Sequence, residues 1–402
     1  MPRLIMLSRD RFPSERAHSI NQIRMCDGFA DAGWNVLLLY PDHAYNLPGD
    51  LHEFYGLRNR INTIKMKCIA HDITLPAWLM KGRIEQLKNK FITDVVGATT
   101  TFSIIRHLLK LVRSGDLCHR DIIYGRSGYF ALFIVKLLFL IMGRPNKVAL
   151  EIHHPPHGRA GLIKFFLKRL DHVFVINNFL LNVFQEKGFK RVSVVPDGVD
   201  VVPFNTLLQS STKFEIRSRL GLPQNCKIVV YAGHLYAYKG VDDLLRTAVL
   251  FPEVTFLIVG GFADDVARNR SIAETLGLSN IVFTGFVSPS AVPEYLVASD
   301  ICVYTLKPNA PIRDFTSPIK LFEYLASGNP TIAANVPGVR DIIRHEESGL
   351  LYPPGDDNSL SLAIYRLLSD CELSSRIAHA GIEVAAAHSW SRRAQYVLEI
   401  LK

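Results

Sequence analysis

The sequence predicts an α/β protein made of two consecutive doubly wound domains, each with a parallel sheet. Three observations carry that expectation. At 402 residues the chain is too long for one ordinary hydrophobic core and suits two of similar size. Its strand-like segments are short, uninterrupted apolar runs, the pattern of parallel strands covered on both faces rather than of half-exposed ones. The strand–loop–helix rhythm also runs twice, once from the N-terminus and again from Lys227. With 48% hydrophobic residues and a mean hydropathy of +0.14 the chain sits at the apolar end of the globular class.

Taken in order, Met1-Pro2-Arg3 followed by Leu4–Leu7 is too short for a signal-peptide core and is expected as the first strand. A polar loop over Ser8–Ser14, a helix over Ala17–Asp31 ending at Gly33, and the strand Val36–Tyr40 stopped by Pro41 complete a first βαβ unit. Its first loop lies at the carboxyl edge of the sheet, where doubly wound folds bind ligands, so Arg9, Arg11, Arg16 and His18 are candidate contacts. Ile61–Ile69 alternates like a strand, and residues 76–113 carry basic amphipathic segments around Lys81, Arg83, Lys88, Lys90, Arg106, Lys110 and Arg113. Ile122–Tyr124 reads as a buried strand. Tyr129–Met142 falls short of the ~20 residues that cross a bilayer and is expected as a core helix. Gly161–Leu170 is apolar on one side and basic on the other, which suits packing on the sheet or contact with an anionic membrane surface.

The strand Val148–Ile152 leads into His153-His154-Pro155-Pro156-His157-Gly158. These histidines lack the i,i+4 helical spacing of zinc sites and are expected to have no neighbouring Cys or acidic partner, so His153 is read as a ligand-contacting or proton-handling group, with His154 as its alternate. Val173–Ile176, a helix over Asn178–Lys187 and Val192–Val195 close the first domain, and residues 201–225 read as an irregular hinge and linker. In the second half, strands are expected at Lys227–Tyr231, Thr255–Val259, Ile281–Thr284, Asp300–Tyr304 and Pro330–Ala333. Helices are expected over Val241–Leu250 and Leu373–Ala387, with a further one at the C-terminus.

Charge divides the chain. Residues 1–200 hold 28 Lys and Arg against 17 Asp and Glu, whereas residues 201–402 hold 18 against 20. A basic first half points to an anionic partner such as a phosphorylated acceptor or a membrane face. Nucleic acid is disfavoured, because neither an RNP pattern nor zinc-finger spacing is present. The six cysteines are scattered without a C-x-x-C pair, which suggests free thiols in a reducing, cytoplasmic setting, with peripheral attachment to the inner membrane face as an addition.

One stretch, Ser317–Pro330, is written as a complete helix. Ser317 is read as its N-cap, Pro318 as its first residue and Gly328 as its left-handed stop. Ile319, Phe322 and Leu325 supply a buried side, and Lys320, Glu323 and Ser327 share another. Lys320 faces the positive end of the helix dipole, an unfavourable place unless an anion sits there or Glu323 pairs with it.

The second half resembles the retaining glycosyltransferases of family 4, which have the GT-B fold: two facing Rossmann-like domains with a cleft between them. The resemblance rests on Val194-Val195-Pro196-Asp197-Gly198-Val199-Asp200, Tyr231-Ala232-Gly233-His234 with Lys239-Gly240, and Val259-Gly260-Gly261. It extends through Phe283-Thr284-Gly285-Phe286-Val287, Ala298-Ser299-Asp300 and Ser317–Pro330, covering about residues 190–395. More loosely, Ala17-His18-Ser19 and Glu151-Ile152-His153 match in the first half. It implies an acceptor domain over 1–198, a nucleotide-sugar donor domain over 199–387, and a C-terminal helix over about 388–402 that packs back on the first.

The resemblance also assigns roles. Gly233, His234, Lys239, Gly240, Gly260, Ser317, Pro318, Ile319 and Lys320 would hold the donor, and Glu323 would take its ribose hydroxyls. Phe286 and Val287 would flank the base, and His153 would orient the sugar or assist the acceptor. Lys239 and the helix starts have an independent reason to stabilise a leaving diphosphate, since charge and free N–H groups both favour anions there. Two departures stand out. His234 occupies the zone where an arginine is usual, and Phe315, beside Asp314, replaces the first glutamate of the E-x7-E motif. A branch with Ser-x-Pro-x-Lys at this loop acts on cell-surface polysaccharides.

The expectation is therefore a hexosyl- or N-acetylhexosaminyl-type transferase. It would move sugar from a UDP- or GDP-sugar to a glycan, polysaccharide or lipid-linked hydroxyl, with no cofactor and no metal. The alternatives are a non-catalytic sugar-nucleotide-binding subunit and a GT-B epimerase.

Overall fold

The computed structural model describes all residues except 1, 15, 43–49, 68–82, 127 and 156–159, and the side chains of 83–96 and 160. The chain divides into two compact units. The first comprises Met1–Val175, Leu180–Val195 and Ala394–Lys402; the second comprises Ile176–Phe179 and Pro196–Arg393.

In the first unit the apolar runs do become parallel strands. β1 (Arg3–Leu7), α1 (Ala17–Asp31), β2 (Asn35–Pro41), α2 (Leu51–Tyr55), β3 (Asn62–Met66) and α3 (Arg83–Arg113) form its first part. β4 (Ile122–Gly125), α4 (Tyr129–Ile141), β5 (Val148–Ile152), α5 (Ala160–Leu167), β6 (His172–Val175), α6 (Asn178–Glu186) and β7 (Val192–Val194) follow. The strands order as β3-β2-β1-β4-β5-β6-β7, all parallel, and Leu4 lies in register with both Val36 and Ile122. Leu4, Ile5, Leu38 and Leu39 are wholly buried, as strands sandwiched by helices require. The order of the chain reverses between β1 and β4, which makes the loops after these strands the topological switch point.

The second unit opens with α7 (Val201–Ser210) and α8 (Lys213–Leu220), which correct the expectation of an irregular linker over 201–225. Asp200 caps α7 by accepting from the Val202 N–H, and Thr212 with Glu215 forms a reciprocal capping box on α8. β8 (Ile228–Ala232), a 3₁₀ turn (Ala237–Lys239), α9 (Val241–Ala248), β9 (Thr255–Val259), α10 (Ala263–Thr275), β10 (Ile281–Gly285), α11 (Val292–Val297) and β11 (Ile301–Tyr304) come next. α12 (Ile319–Ala326), β12 (Thr331–Ala334), α13 (Pro337–Arg340), β13 (Leu350–Tyr352), α14 (Asp357–Ser369), α15 (Cys371–Ala387) and α16 (Trp390–Leu401) complete the chain. The parallel sheet runs β10-β9-β8-β11-β12-β13, so its switch point lies between β8 and β11.

Two further expectations need adjustment. β3 ends at Met66, and Cys68 and Ile69 lie outside the described residues, as do Lys81 and His157. α4 is a core helix on one side only: Leu132, Val135 and Phe139 are buried, while Leu137, Leu140 and Ile141 face solvent. Among the described residues no helix is long and apolar enough to cross a membrane.

Candidate donor and acceptor sites

At the switch point of the second unit, the loops after β8 and β11 are tied together. Thr305 Oγ1 donates to the Lys239 carbonyl at 2.6 Å, and the Lys307 N–H donates to the Tyr238 carbonyl at 3.0 Å. Glycines permit the close packing. Gly240 sits at φ +72°, turning the chain from the 3₁₀ segment into α9. A Cβ on Gly260 would stand 2.6 Å from the Gly233 carbonyl oxygen, so the end of β9 lies directly against the loop.

Lys239 is held at this turn. Its side chain is half-buried, its ammonium lies 5.5 Å from the Tyr238 ring centroid, and no carboxylate pairs with it among the described residues. Burial pushes its pKa down to about 8, with no anion to restore it. His234 stacks between Tyr236 at 5.1 Å and Phe262 at 5.3 Å, so its ring belongs to an aromatic row rather than replacing an arginine's reach. Phe286 is exposed, and Val287 is half-buried beside it in sequence.

α12 begins one residue later than expected, with Pro318 as its cap and no side-chain capping bond. Ser317 does not cap it, because its Oγ accepts the Asp197 N–H at 2.9 Å. Gly328 takes the left-handed conformation (φ +73°) just past the helix, as its sequence position implied. Ser327 does not share the polar side of Lys320 and Glu323: it is buried, and its hydroxyl donates to the Tyr324 carbonyl. Lys320 Nζ lies 2.7 Å from Glu323 Oε2, an i,i+3 pair between half-buried groups. Asp314, next to Phe315, is engaged by Arg313 Nε at 2.8 Å.

Sequence reasoning missed Tyr324. Its buried hydroxyl accepts the Ala232 N–H at 2.7 Å and donates to the Ala232 carbonyl at 3.0 Å, fastening α12 to the end of β8. The Lys320–Glu323 face and the Gly233–Gly240 loop are thereby positioned by one phenol. No local signal marks it, because its partner lies 92 residues away.

In the first unit the switch point gathers cations. Arg9 is half-buried and runs along Gly97 and Gly128, where added Cβ atoms would meet its side chain at 2.5 and 3.1 Å. Arg126 Nη1 donates to the His18 carbonyl at 2.6 Å, and the His18 and His154 rings lie 6.0 Å apart. Desolvation, followed by the Arg126 charge, lowers the His18 pKa to about 4. Arg16 is exposed, its N–H bound to Ser14 Oγ, and the Arg11 carbonyl accepts from Ser19 Oγ.

His153 is buried with both ring nitrogens engaged. Arg126 Nη2 lies 2.8 Å from Nδ1, while Nε2 contacts Glu151, whose other oxygen accepts the Tyr124 hydroxyl at 2.5 Å. A guanidinium can only donate, so Nδ1 accepts and the proton belongs on Nε2 toward Glu151. This arrangement orients a neutral imidazole. Arg126 and Glu151 were not singled out as site residues, although the i,i+2 spacing of Glu151 and His153 hinted that they share a strand face.

Two α/β units, each with a parallel sheet and polar groups at its switch point, define the GT-B fold class. Residues 212–384 match the family model "Glycosyl transferases group 1", so the second unit carries a domain of that group. The D-inositol 3-phosphate glycosyltransferase of Stackebrandtia nassauensis is 28% identical over 220 residues, which is 52% of this chain and 48% of that one. The alpha-galactosylglucosyldiacylglycerol synthase of Streptococcus pneumoniae is 32% identical over 143 residues, 34% of this chain and 38% of that one. The chain thus spans about half, or less, of the length of these relatives. Among solved structures, Anabaena HepE in complex with UDP matches with a TM-score of 0.72 at 18% identity, covering 99% of both chains.

Proposed function

We propose that this chain is a retaining glycosyltransferase of family 4. It transfers a sugar from a nucleotide-diphosphate sugar, UDP- or GDP-linked, to a hydroxyl of a cell-surface glycan, polysaccharide or lipid-linked acceptor. The observation that carries the reading is Lys239: a half-buried ammonium with no carboxylate partner among the described residues, beside Gly240 and the start of α9, at the switch point of the sheet in a group 1 domain. Such a group is stabilised by an anion of the size and charge of a diphosphate.

In this reading Lys239, Lys320 and the starts of α9 and α12 hold the diphosphate and stabilise it as it leaves, a task that needs no metal ion. Gly233, Gly240 and Gly260 let the backbone approach, Ser317 and Pro318 shape the loop into α12, and Glu323 accepts from the ribose. His153, fixed by Arg126 and Glu151, orients the transferred sugar. Arg9, Arg11, Arg16, His18 and His154 face the acceptor, for which a phosphate or an anionic lipid headgroup is the matching chemistry. The UDP complex of HepE and the lipid and inositol phosphate named for the relatives support these choices.

The test is release of nucleoside diphosphate from a panel of labelled UDP- and GDP-sugars in the presence of candidate acceptors. Release that Lys239→Ala abolishes supports the reading. Tight donor binding without release with every acceptor tried would instead favour a sugar-nucleotide-binding subunit.

A further inference from the structure

α4 presents two apolar faces. Its inner face packs on the sheet, whereas its outer face carries Phe130, Leu137, Leu140 and Ile141 with relative exposures of 48, 44, 60 and 73%. These positions recur at helical spacing, so they form one stripe rather than scattered exposures. α5, packed beside α4, exposes Leu162 and Phe165 at 48 and 46%. The two stripes are joined by ring contacts, Phe130–Phe166 at 5.4 Å, Phe133–Phe166 at 4.5 Å and Phe133–Phe165 at 5.9 Å. The result is a continuous apolar cap, of a kind that soluble monomers rarely leave uncovered.

Charge decides what covers it. No Asp or Glu occurs from Tyr129 to Leu150 or from Ala160 to Leu170. Lys164 lies on α5 and Lys168 and Arg169 in the turn that follows it, and the Arg169 guanidinium sits 3.4 Å from the centroid of the Phe165 ring. α3, which packs against α4, exposes Phe102, Arg106, Lys110 and Arg113. A protein partner or a second copy would call for mixed charge at the rim. A predominantly basic rim around an aromatic and aliphatic cap matches the interface of an anionic bilayer, with rings and branched chains at the acyl boundary and cations at the headgroups.

We propose that the α4–α5 cap is a membrane-docking surface that seats the first unit on an anionic bilayer. This develops the lipid-linked acceptor reading above, but its evidence is independent of the donor site. The full-length chain is sedimented with vesicles of phosphatidylcholine alone and of phosphatidylcholine mixed with phosphatidylglycerol, at low and high salt. Binding to the anionic vesicles is expected to exceed that to the neutral ones at least tenfold, and to weaken with salt. The paired substitution Leu140→Asp/Ile141→Asp, at exposed positions, is expected to cut it at least tenfold with UDP binding unchanged. Lys164→Glu/Lys168→Glu tests the rim in the same way.

Equal recovery with both vesicle types, or unaltered binding of the aspartate variant, would overturn the proposal. So would a concentration-dependent dimer dissolved by the aspartate pair, which would make the cap a contact between copies. UDP binding, measured separately on the same variants, distinguishes failure of this surface from failure of the donor site.

Discussion

Lys239 makes a sharp prediction because its proton is held weakly. With a pKa of about 8 it is ~90% protonated at pH 7 and ~10% at pH 9. A bound diphosphate favours the ammonium and raises that pKa, so affinity is fully present below pH 8 and falls as pH rises through it. UDP binding followed by calorimetry from pH 7 to 9 is expected to weaken by about tenfold. Lys239→Arg, which stays charged, should bind with a nearly flat profile. The free chain should show the opposite dependence in its stability. The folded-state pKa lies below the ordinary 10.5, so the folded state is penalised below pH 8 and recovers as pH rises from about 8 to 10.5. At ~1.4 kcal/mol per unit the penalty is at most about 3.5 kcal/mol, less whatever solvent screens. Lys239→Met should therefore stabilise the chain at pH 7 while weakening UDP binding. A flat wild-type profile, parallel profiles for wild type and Lys239→Arg, or destabilisation by Lys239→Met would each refute the reasoning.

Three further outcomes follow from the same geometry. Tyr324→Phe orphans the buried N–H and carbonyl of Ala232 and should cost about 2–4 kcal/mol, read as a lower denaturation midpoint and faster hydrogen exchange at the Ala232 amide. An unchanged exchange rate would show that α12 does not depend on the phenol. Glu323→Gln should reduce kcat/KM by about 10–100-fold while the half-buried site keeps its fold, and unaltered turnover would remove Glu323 from the donor site. In proton NMR the His18 ring should titrate near pH 4, and a midpoint at the ordinary value near 6.5 would show that Arg126 and desolvation do not act on it.

What the sequence made legible was whatever local pattern determines. Parallel strands buried on both faces must be apolar throughout, so Leu4–Leu7 and Thr255–Val259 announced themselves. α7 and α8 were legible too, through Asp200 and the Thr212–Glu215 capping box, but Pro203 within α7 and the polar composition of α8 obscured them. Ser317 illustrates the limit. By local rules it is an N-cap, yet its hydroxyl serves the Asp197 N–H, 120 residues away. The Arg126–His153–Glu151 chain likewise depends on strand neighbours that only the sheet order brings together. α4 misled in another way: apolar composition implies burial, but one of its faces has no covering element among the described residues.

The two lysines at the second switch point are not equivalent, and their difference can be measured. Lys320 sits in the first turn of α12, where the dipole disfavours it, but Glu323 at 2.7 Å offsets that locally. Among the described residues Lys239 has no such partner, so the charge ready for a phosphate is Lys239's, and Lys320 must first be drawn from Glu323. Inorganic pyrophosphate isolates this competition because it carries no ribose for Glu323 to hold. Glu323→Gln releases Lys320 from a pair worth ~0.2–1 kcal/mol and should tighten pyrophosphate binding by up to about fivefold. UDP, which loses its ribose contact in the same variant, should bind more weakly, and Lys239→Met should weaken both. Pyrophosphate affinity unchanged by Glu323→Gln would place Lys320 outside the phosphate site and leave that site to Lys239 and the start of α9.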